Sequence, residues 1–207
     1  MKLHLGCGNK KLEGWINIDS VAAFNPDLIH DITQPLPYQE LSIDEILAED
    51  LLEHFDKYIR FFVFYEWVRV LKIGGKITVQ VPNFKKILFR YFKFGFDAIV
   101  DLVFGETFWG SKIYIGHFGI HKWGYSEKTF KKFVKMFGIH PIKFEHRGLN
   151  MRLIGIKERH INKQDLYDIK IYSYANKGDN GNEYVTLGSI KDMIKNFASG
   201  GISNEEL

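Results

Sequence analysis

A glycine-rich turn between two short apolar runs dominates the start of this chain. The run from Leu3 to Leu5 leads into Gly6-Cys7-Gly8, and the second run ends at Asp19. Glycines that leave a strand let the backbone approach a ligand closely, and an acidic residue that closes the next strand can hold two ribose hydroxyls. We therefore expect a nucleoside-binding site here. The competing interpretation is an ordinary tight turn.

The spacing of this turn disfavours a dinucleotide ligand. A dinucleotide-binding turn carries a third glycine, and its acidic residue follows about 20 residues later. In this chain Gly8 is followed by Asn9-Lys10-Lys11, and Asp19 arrives early. The pattern therefore indicates a nucleoside cofactor other than NAD.

Strand-like and helix-like patterns alternate along the chain, which is typical of an α/β protein with a parallel sheet. A helix is predicted to begin near Asp56 and to be terminated by Lys72 and the pair Gly74-Gly75. A second helix is predicted to begin at a Ser126 cap and to stop at Gly138. The apolar faces of these helices are Phe64, Trp67, Val68 and Leu71, and Phe130, Phe133, Val134 and Phe137. The predicted parallel strands are residues 2–5, 15–19, 28–32, 45–49 and 76–81.

The segment 84–125 departs from this alternation because it is crowded with aromatic residues. One interpretation is a lid over a ligand pocket, since such pockets are lined mainly by apolar groups. A second is a contact between copies of the chain, because an exposed apolar patch of this extent is a liability on a monomer. A third is a membrane-surface element, since NFKKILFRYFKFGF mixes lysine and arginine with phenylalanine. We favour a lid combined with a homo-oligomer contact.

Composition bounds the remaining possibilities. The 207 residues, 45% of them hydrophobic, suffice for one core. A formal charge of +3 is too small to indicate a nucleic-acid partner. The single cysteine, Cys7, excludes an internal disulfide and a multi-cysteine metal site. No signal peptide or long apolar span is recognisable, so we expect a cytoplasmic protein.

Three motifs in this order identify a family. LHLGCGNKKLEGWINIDS, HDITQPLPYQELSIDEILAEDLLEHF and VRVLKIGGKITVQVPN together resemble the class I S-adenosylmethionine-dependent methyltransferases. More narrowly, the chain looks like a compact predicted subgroup that is similar to the type 11 methyltransferases, and GIHKWGYSEKTFKKFVKMFGI fits it too. The resemblance implies a Rossmann-like α/β fold: a seven-stranded, mostly parallel sheet with helices on both faces and an aromatic-rich insertion after the fifth strand.

The resemblance also implies a division of the chain. Residues 1–177 are expected to form the methyltransferase domain, with the acceptor or lid insertion at about 84–125. Residues 142–146 and 168–175 are expected to form its final antiparallel strand pair. Residues 178–207 are expected to be a C-terminal extension with a short helix over 189–197.

S-adenosylmethionine is the cofactor that the resemblance implies, with S-adenosylhomocysteine as the product. The implied cofactor-binding positions lie in the glycine turn and at the ends of the following strands. They are Gly6, Cys7, Gly8 and Asn9 beside the methionine end, Asp19 at the ribose hydroxyls, Asp31 and Ile32 at the adenine, Glu49 at the methionyl ammonium and Leu51 as a wall.

Two positions depart from the family pattern. Relatives usually carry Asp, Glu or Asn where this chain has His4, and many carry a third glycine where it has Lys10. His4 either hydrogen-bonds the site or is a satisfied core histidine, and we favour the core histidine. Cys7 is expected to pack as a small buried residue rather than to react.

Candidate catalytic residues come from the acceptor side. An oxygen acceptor of high pKa needs a general base, most often histidine. The candidates are His54 in LLEHF and His117 and His121 in HFGIHKWGY, with Tyr125 as a positioning group. We favour His121, because its segment follows the fifth strand, where such enzymes commonly build the acceptor pocket. His117 and His121 are four residues apart, a spacing that could bind a metal ion on a helix. Gly119 lies between them and no acidic ligand motif is nearby, so no metal site is predicted.

The function predicted from these features is methyl transfer to an oxygen or nitrogen of a small metabolite or a sugar precursor of a surface polysaccharide. One alternative is a catalytically silent module that binds the cofactor or mediates oligomerisation. Another is a protein or RNA methyltransferase, which would need an exposed groove with a basic rim.

Overall fold

A seven-stranded, mostly parallel sheet organises the first part of the chain. The computed structural model describes residues 1–97, 99–100, 120–176 and 182–189. The first five strands pair in parallel, the seventh pairs antiparallel with the fifth, and the sixth pairs antiparallel with the seventh at the edge of the sheet. The strands are β1 Lys2–Leu5, β2 Ile16–Asp19, β3 Leu28–Ile29, β4 Ile43–Glu49, β5 Leu71–Pro82, β6 Ile139–Arg147 and β7 Asn150–Lys157.

The order of the strands decides where a site can form. Across the sheet the order is β3-β2-β1-β4-β5-β7-β6, so the chain leaves β1 to one side and returns on the other side at β4. In open parallel sheets, ligands bind beyond the carboxyl ends of the strands at such a reversal. Gly6, Asp19 and Glu49 end or follow β1, β2 and β4, which places them all at this edge. The predicted fold class of a seven-stranded, mostly parallel sheet is confirmed.

The helices whose bounds are described up to residue 160 are α1 Ile59–Val70, α2 Phe84–Phe94 and α3 Glu127–Met136, and residues 96–97 and 99–100 are also helical. Helix α1 starts close to the predicted position, because the Asp56 carboxylate accepts the N–H groups of Tyr58 and Ile59 at 2.7 and 2.9 Å. The predicted end is wrong. The backbone becomes extended at Leu71, so Lys72 and Gly74-Gly75 lie inside β5.

Helix α3 has the predicted boundaries. Ser126 is its N-cap, and a reciprocal capping box with Thr129 satisfies backbone donors at the first turn. Gly138 follows the helix with a positive φ of 71°, which favours glycine. The predicted apolar residues Phe130, Phe133, Val134 and Phe137 are all buried.

The predicted final strand pair is half wrong. The segment 142–146 lies in β6, but its antiparallel partner is β7 and not 168–175. The two strands are adjacent in sequence and are joined at Gly148-Leu149, where Gly148 has a φ of 58°. The alternation of buried and half-buried residues along β7 marks a strand packed on one face. A local hairpin is therefore formed instead of the predicted long-range pair.

Residues 161–207 form a second compact unit, separate from Met1–His160. Its described elements are α4 Lys163–Asp168 and an antiparallel pair of β8 Lys170–Asn176 with β9 Asn182–Ser189. The segment 168–175 therefore belongs to the end of α4 and to β8. Lys177 and the predicted helix after Ser189 lie outside the described residues, so the predicted boundary at 177 stays a prediction. Across the described ranges, none of the helices is long and apolar enough to cross a membrane.

Lys157, at the end of β7, is a fully buried cation. Its ammonium donates hydrogen bonds to the carbonyl oxygens of Val68 and Leu71, at 2.6 and 2.8 Å. These carbonyls lie at the end of α1, where helix carbonyls lack intrahelical partners. Burial lowers the pKa of Lys157 to about 8, and Glu40 opposes part of that change. The lysine thus joins β7 to the end of α1.

We expect Lys157→Met to lower the free energy of unfolding by about 1–3 kcal/mol, because two buried carbonyls lose their donor. In the folded protein the ammonium loses its proton near pH 8, and in the unfolded chain near 10.5. The unfolded chain binds more protons between these values, so the stability of the parent protein relative to the variant should rise with pH across that window. Urea unfolding at pH 7 and 9.5 measures this difference.

The matched control is Lys143→Met, which removes an exposed lysine from β6. Its free energy of unfolding should stay within about 0.5 kcal/mol of the parent, as for other exposed ion pairs. An equal difference between parent and Lys157→Met at both pH values would contradict the lowered pKa.

Candidate functional site

The turn after β1 is closely packed against the segment that follows β4. Gly6 and Gly8 have positive φ angles of 62° and 52°. A Cβ atom at Gly6 would lie 2.7 Å from Cδ1 of Leu51, whereas one at Gly8 would meet nothing within 4 Å. Cys7 is buried between them, as predicted, and its N–H donates to the carbonyl of Ile18 in β2 at 3.1 Å. Only a glycine at position 6 allows the turn and Leu51 to approach this closely.

Asp19, at the end of β2, holds this turn in place. Its carboxylate oxygens accept the N–H of Gly8 at 2.8 Å and the N–H of Val21 at 2.9 Å. The side chain is nearly buried, with 9% of the residue exposed. An ionised carboxylate has about four acceptor positions, so two remain for a ligand. The two backbone bonds fix the orientation of the carboxylate.

Glu49 ends β4 and is paired with two cations. Its carboxylate lies 2.7 Å from the ammonium of Lys10 and also contacts the guanidinium of Arg152. Lys10 stands where many relatives carry the third glycine, so this departure places a positive charge on the residue expected to bind the ligand's ammonium. A bound ammonium group would have to share or displace Lys10.

Asp31 and Ile32 follow β3, which ends at Ile29, before the predicted end at residue 32. The Asp31 carboxylate closes a turn by accepting the N–H and hydroxyl of Thr33, at 2.9 and 2.8 Å. Ile32 is buried and Asp31 is exposed. The strand is shorter than predicted because this side-chain turn competes with strand pairing. Asn9, in the first turn, is exposed.

His4 is a core histidine in the structure. It lies in β1 with 2% of the residue exposed, and its Nδ1 is 3.1 Å from Oδ1 of Asn17, its register partner in β2. Burial lowers the pKa of His4, and the bond to Asn17 opposes part of that change. The favoured sequence interpretation of His4 therefore agrees with the observed hydrogen bond.

A second group of titratable side chains meets at the turn that follows β4. Glu53 and His54 belong to a short 3-10 turn, Leu52–His54, and His121 comes from a segment far along the chain. The backbone carbonyl of Glu53 accepts the N–H groups of Lys122 and Trp123, at 2.8 and 3.0 Å. These two bonds bring His121 to His54, with ring centroids 5.0 Å apart. We call Glu53, His54 and His121 the acceptor cluster, after the acceptor-side role that the sequence predicts for the two histidines.

Burial changes the pKa of every member of the acceptor cluster. Glu53 is 1% exposed, and burial, together with the nearby Asp50 carboxylate, raises its pKa well above the usual range. Burial lowers the pKa of His54, although the carbonyls of Ile120 and Asp50 oppose it. Burial and the neighbouring His54 lower the pKa of His121 to about 4. Both rings are therefore neutral near pH 7 and carry a free nitrogen lone pair.

The Glu53 carboxylate is an unusual feature of this cluster. Neither of its oxygens has a hydrogen-bond partner among the described residues. The closest cluster donor is Nε2 of His121, 4.0 Å from Oε1. Sequence reasoning missed Glu53, because one acidic residue in the apolar stretch LLEHF carries no pattern of its own. The signal was its position beside His54.

Tyr125, for which the sequence predicts a positioning role, is buried and bonded to Arg60. Its hydroxyl accepts a hydrogen bond from Arg60 at 3.2 Å, and the residue is 1% exposed. Burial raises its pKa to about 12. The Arg60 guanidinium also lies over the ring of Trp123, 4.3 Å from its centroid. This arrangement anchors the segment that carries His121.

The other predictions for the aromatic segment fall only partly on described residues. His117 lies outside them, together with residues 101–119. In the described part, Leu88, Phe89 and Phe96 are 50%, 66% and 63% exposed. The interpretations as a lid, a homo-oligomer contact or a membrane-surface element stay predictions.

Comparison with solved structures identifies the fold. The chain resembles a SAM-dependent methyltransferase from Archaeoglobus fulgidus with a TM-score of 0.54 and 15% identity, covering 75% of this chain and 85% of the other. It resembles a SAM-dependent methyltransferase from Methanosarcina mazei with a TM-score of 0.54 and 17% identity, covering 75% and 91%. A third resemblance is to a Haloferax volcanii complex between the Trm112 methyltransferase activator and a methyltransferase, with a TM-score of 0.53, 12% identity and coverage of 78% and 83%.

No protein-family model and no curated protein sequence matches the chain. The structural likenesses, all at low identity, show that the chain has the class I S-adenosylmethionine-dependent methyltransferase fold. The resemblance read from the motifs is confirmed at the level of the fold.

The two glycines of the first turn provide a matched test of its packing. Gly6→Ala and Gly8→Ala should each lower the free energy of unfolding by about 1–2 kcal/mol, because both place a Cβ atom at positive φ. Gly6→Ala should lower it further, since its Cβ would also displace Leu51. Adding Leu51→Ala to Gly6→Ala should recover part of that further loss. Chemical denaturation measures all three variants, and equal losses for the two glycines would contradict the close packing.

Proposed function

We propose that this chain is an S-adenosylmethionine-dependent methyltransferase that releases S-adenosylhomocysteine. The observation that carries the proposal is the left-handed turn at Gly6 and Gly8 tied to the Asp19 carboxylate. The turn lies at the strand reversal, where α/β folds bind nucleoside ligands. The fold supports the same cofactor.

Each cofactor contact is assigned to a residue at this edge. The free acceptor positions of Asp19 take the two ribose hydroxyls, and the backbone of the glycine turn lies beside the methionine end. Glu49 holds the methionyl ammonium in competition with Lys10, and Leu51 forms a wall. Asp31, with Ile32, serves the adenine.

The acceptor binds at the acceptor cluster, which follows Leu51 by only two residues. Methyl transfer from a sulfonium is an in-line displacement, so donor and acceptor must be aligned closely. An acceptor hydroxyl or protonated amine must also lose a proton. In this proposal the acceptor loses its proton with the help of His121, which is the residue that the sequence favours as the general base. His54 lies beside it. Tyr125 acts indirectly, by anchoring the segment through Arg60.

The acceptor class that this geometry favours is a small molecule, such as a metabolite or a sugar precursor. The cluster is largely buried: Glu53 is 1% exposed and the His121 side chain 24%. A macromolecule would need wider access. A protein or RNA acceptor is the second candidate, because the Haloferax volcanii methyltransferase that this chain resembles is found in a complex with a protein activator.

A catalytically silent cofactor-binding module is the remaining alternative. The ion pairs of Glu49 with Lys10 and Arg152 favour it, because they occupy the carboxylate assigned to the methionyl ammonium. The two proposals differ in turnover and not in fold.

Calorimetric titration with S-adenosylhomocysteine tests the cofactor site directly. We expect the parent protein to bind it and Asp19→Ala to lose about 1.5–3 kcal/mol of binding free energy, because charged hydrogen bonds to the ribose are lost. Asp19→Asn, which keeps the shape of the side chain, separates loss of charge from loss of the turn. Unchanged affinity in both variants would refute the role of Asp19.

The control for this titration is Asp44→Ala. Asp44 is an ion-paired carboxylate near the start of β4, at the opposite end of the strand from Glu49. Its substitution should leave the affinity for S-adenosylhomocysteine unchanged. If the folded parent protein does not bind the ligand at all, the proposed function fails.

His121→Ala should separate binding from turnover. We expect its affinity for S-adenosylhomocysteine to equal that of the parent, while methyl transfer falls by about 10²-fold or more, because proton removal from the acceptor is impaired. The measurement is transfer from methyl-tritiated S-adenosylmethionine to the acceptor found by screening sugar precursors and small metabolites.

The exposed His140 provides the matched histidine control, and His140→Ala should retain full transfer. Full transfer in His121→Ala would move the role to His54 or His117, or to alignment of the reactants alone.

A further inference from the structure

The acceptor cluster surrounds a point that all three of its side chains can reach. One ring nitrogen each of His54 and His121 and one carboxylate oxygen of Glu53 lie within 4.8 Å of one another. Three atoms so arranged share a central point within about 2.8 Å of each, compared with bond lengths of about 2.0–2.2 Å from zinc to nitrogen or oxygen. Side-chain shifts of well under 1 Å would close the difference.

The buried carboxylate is the observation that points to a cation. Glu53 is fully enclosed, and both of its oxygens lack a hydrogen-bond partner among the described residues. A buried, unpartnered carboxylate is costly to a fold unless it is neutralised or coordinates a metal. Nε2 of His121, the nearest cluster atom, is at 4.0 Å, which is beyond hydrogen-bond reach but close to the separation of two ligands of one ion.

One ring nitrogen of His54 bonds a backbone carbonyl, as in many metal-binding histidines. Its Nδ1 lies 3.1 Å from the carbonyl oxygen of Ile120. Because a carbonyl oxygen only accepts, Nδ1 donates, and the lone pair of the neutral ring is on Nε2. A backbone carbonyl on the distal nitrogen is the common way in which proteins fix the tautomer and the ring of a metal ligand.

We propose that Glu53, His54 and His121 bind one divalent transition-metal ion, for which Zn²⁺ is the reference probe. Two imidazoles and one carboxylate suit Zn²⁺, Fe²⁺ or Co²⁺, whereas Mg²⁺ and Ca²⁺ prefer oxygen ligands throughout. Three protein ligands leave a coordination position open, as in catalytic metal sites.

The role of the metal ion in the reaction, unlike its binding, rests on the proposed function. An acceptor oxygen at the open position would lose its proton more readily, because a divalent ion stabilises the resulting anion. His121 would then act as a ligand of the ion, and the proton of the acceptor oxygen would pass to solvent water instead of to the imidazole. No metal is predicted from the sequence, because the pair of His117 and His121 has no acidic motif beside it and Glu53 lies far from that pair along the chain.

Metal binding to the full chain, freed of any affinity tag and stripped with a chelator, tests the proposal without an activity assay. Calorimetric titration with Zn²⁺ should give one ion per chain, and Co²⁺ should give the visible absorption of a low-coordinate nitrogen and oxygen site. Glu53→Gln, His54→Ala and His121→Ala should each weaken Zn²⁺ binding by at least about tenfold. Circular dichroism confirms that each variant is folded.

The controls are His140→Ala and His146→Ala, which remove exposed histidines that pair with Glu158 and Glu127. Both should bind Zn²⁺ like the parent. The proposal is overturned if the parent binds no Zn²⁺, if the three cluster variants bind as the parent does, or if binding is lost with the exposed histidines instead. Glu53→Gln keeps the shape of the side chain and guards against loss of folding in the histidine variants.

Titration of the same preparations with S-adenosylhomocysteine distinguishes this proposal from the proposed function. Binding of S-adenosylhomocysteine without Zn²⁺ binding overturns the metal site and leaves the methyltransferase intact. Binding of Zn²⁺ without S-adenosylhomocysteine overturns the proposed function and leaves the metal site intact. Transfer that falls on metal removal and returns with Zn²⁺ supports both.

Discussion

The hydrogen bond from the Gly8 N–H to the Asp19 carboxylate is the contact on which the turn at the strand reversal depends. It joins the turn after β1 to the end of β2, and a second bond from Val21 fixes the same carboxylate. The turn can be this tight only because Gly6 leaves room for Leu51. One buried carboxylate thus orders the turn, and its remaining acceptor positions are those that the proposed function assigns to the ribose hydroxyls.

The acceptor cluster depends on a different constraint, which is the backbone of Glu53. Its carbonyl receives two N–H groups from Lys122 and Trp123, and Arg60 holds the same segment through Trp123 and Tyr125. These contacts bring a distant histidine to His54 and leave the Glu53 side chain enclosed. The cofactor turn and the acceptor cluster are linked by Leu51, which packs on the first and precedes the second by two residues.

Local patterns predicted the elements whose signals are local. The Ser126 cap, the apolar face of α3 and Gly138 are neighbours in sequence, and the helix was predicted correctly. The pairing of 142–146 with 168–175 was wrong, because strand pairing is a long-range choice and β7 lies closer in sequence. The end of α1 was also wrong: Gly74-Gly75 resembles a helix stop, but pairing of Leu71 with Ile43 draws the chain into β5 earlier.

By itself the sequence determined the α/β class, the glycine turn with its acidic partner and the buried helix faces, because these depend on residue order and spacing over a few turns. Only the tertiary structure decided that Lys10 and Arg152 pair with Glu49, that His4 is satisfied by Asn17, and that Glu53 lies buried beside two histidines. The physical reason is the same in each case. These ion pairs, hydrogen bonds and buried contacts join residues that are distant in sequence. The periodicity of the sequence predicts local structure only, so it does not predict which distant residues come into contact.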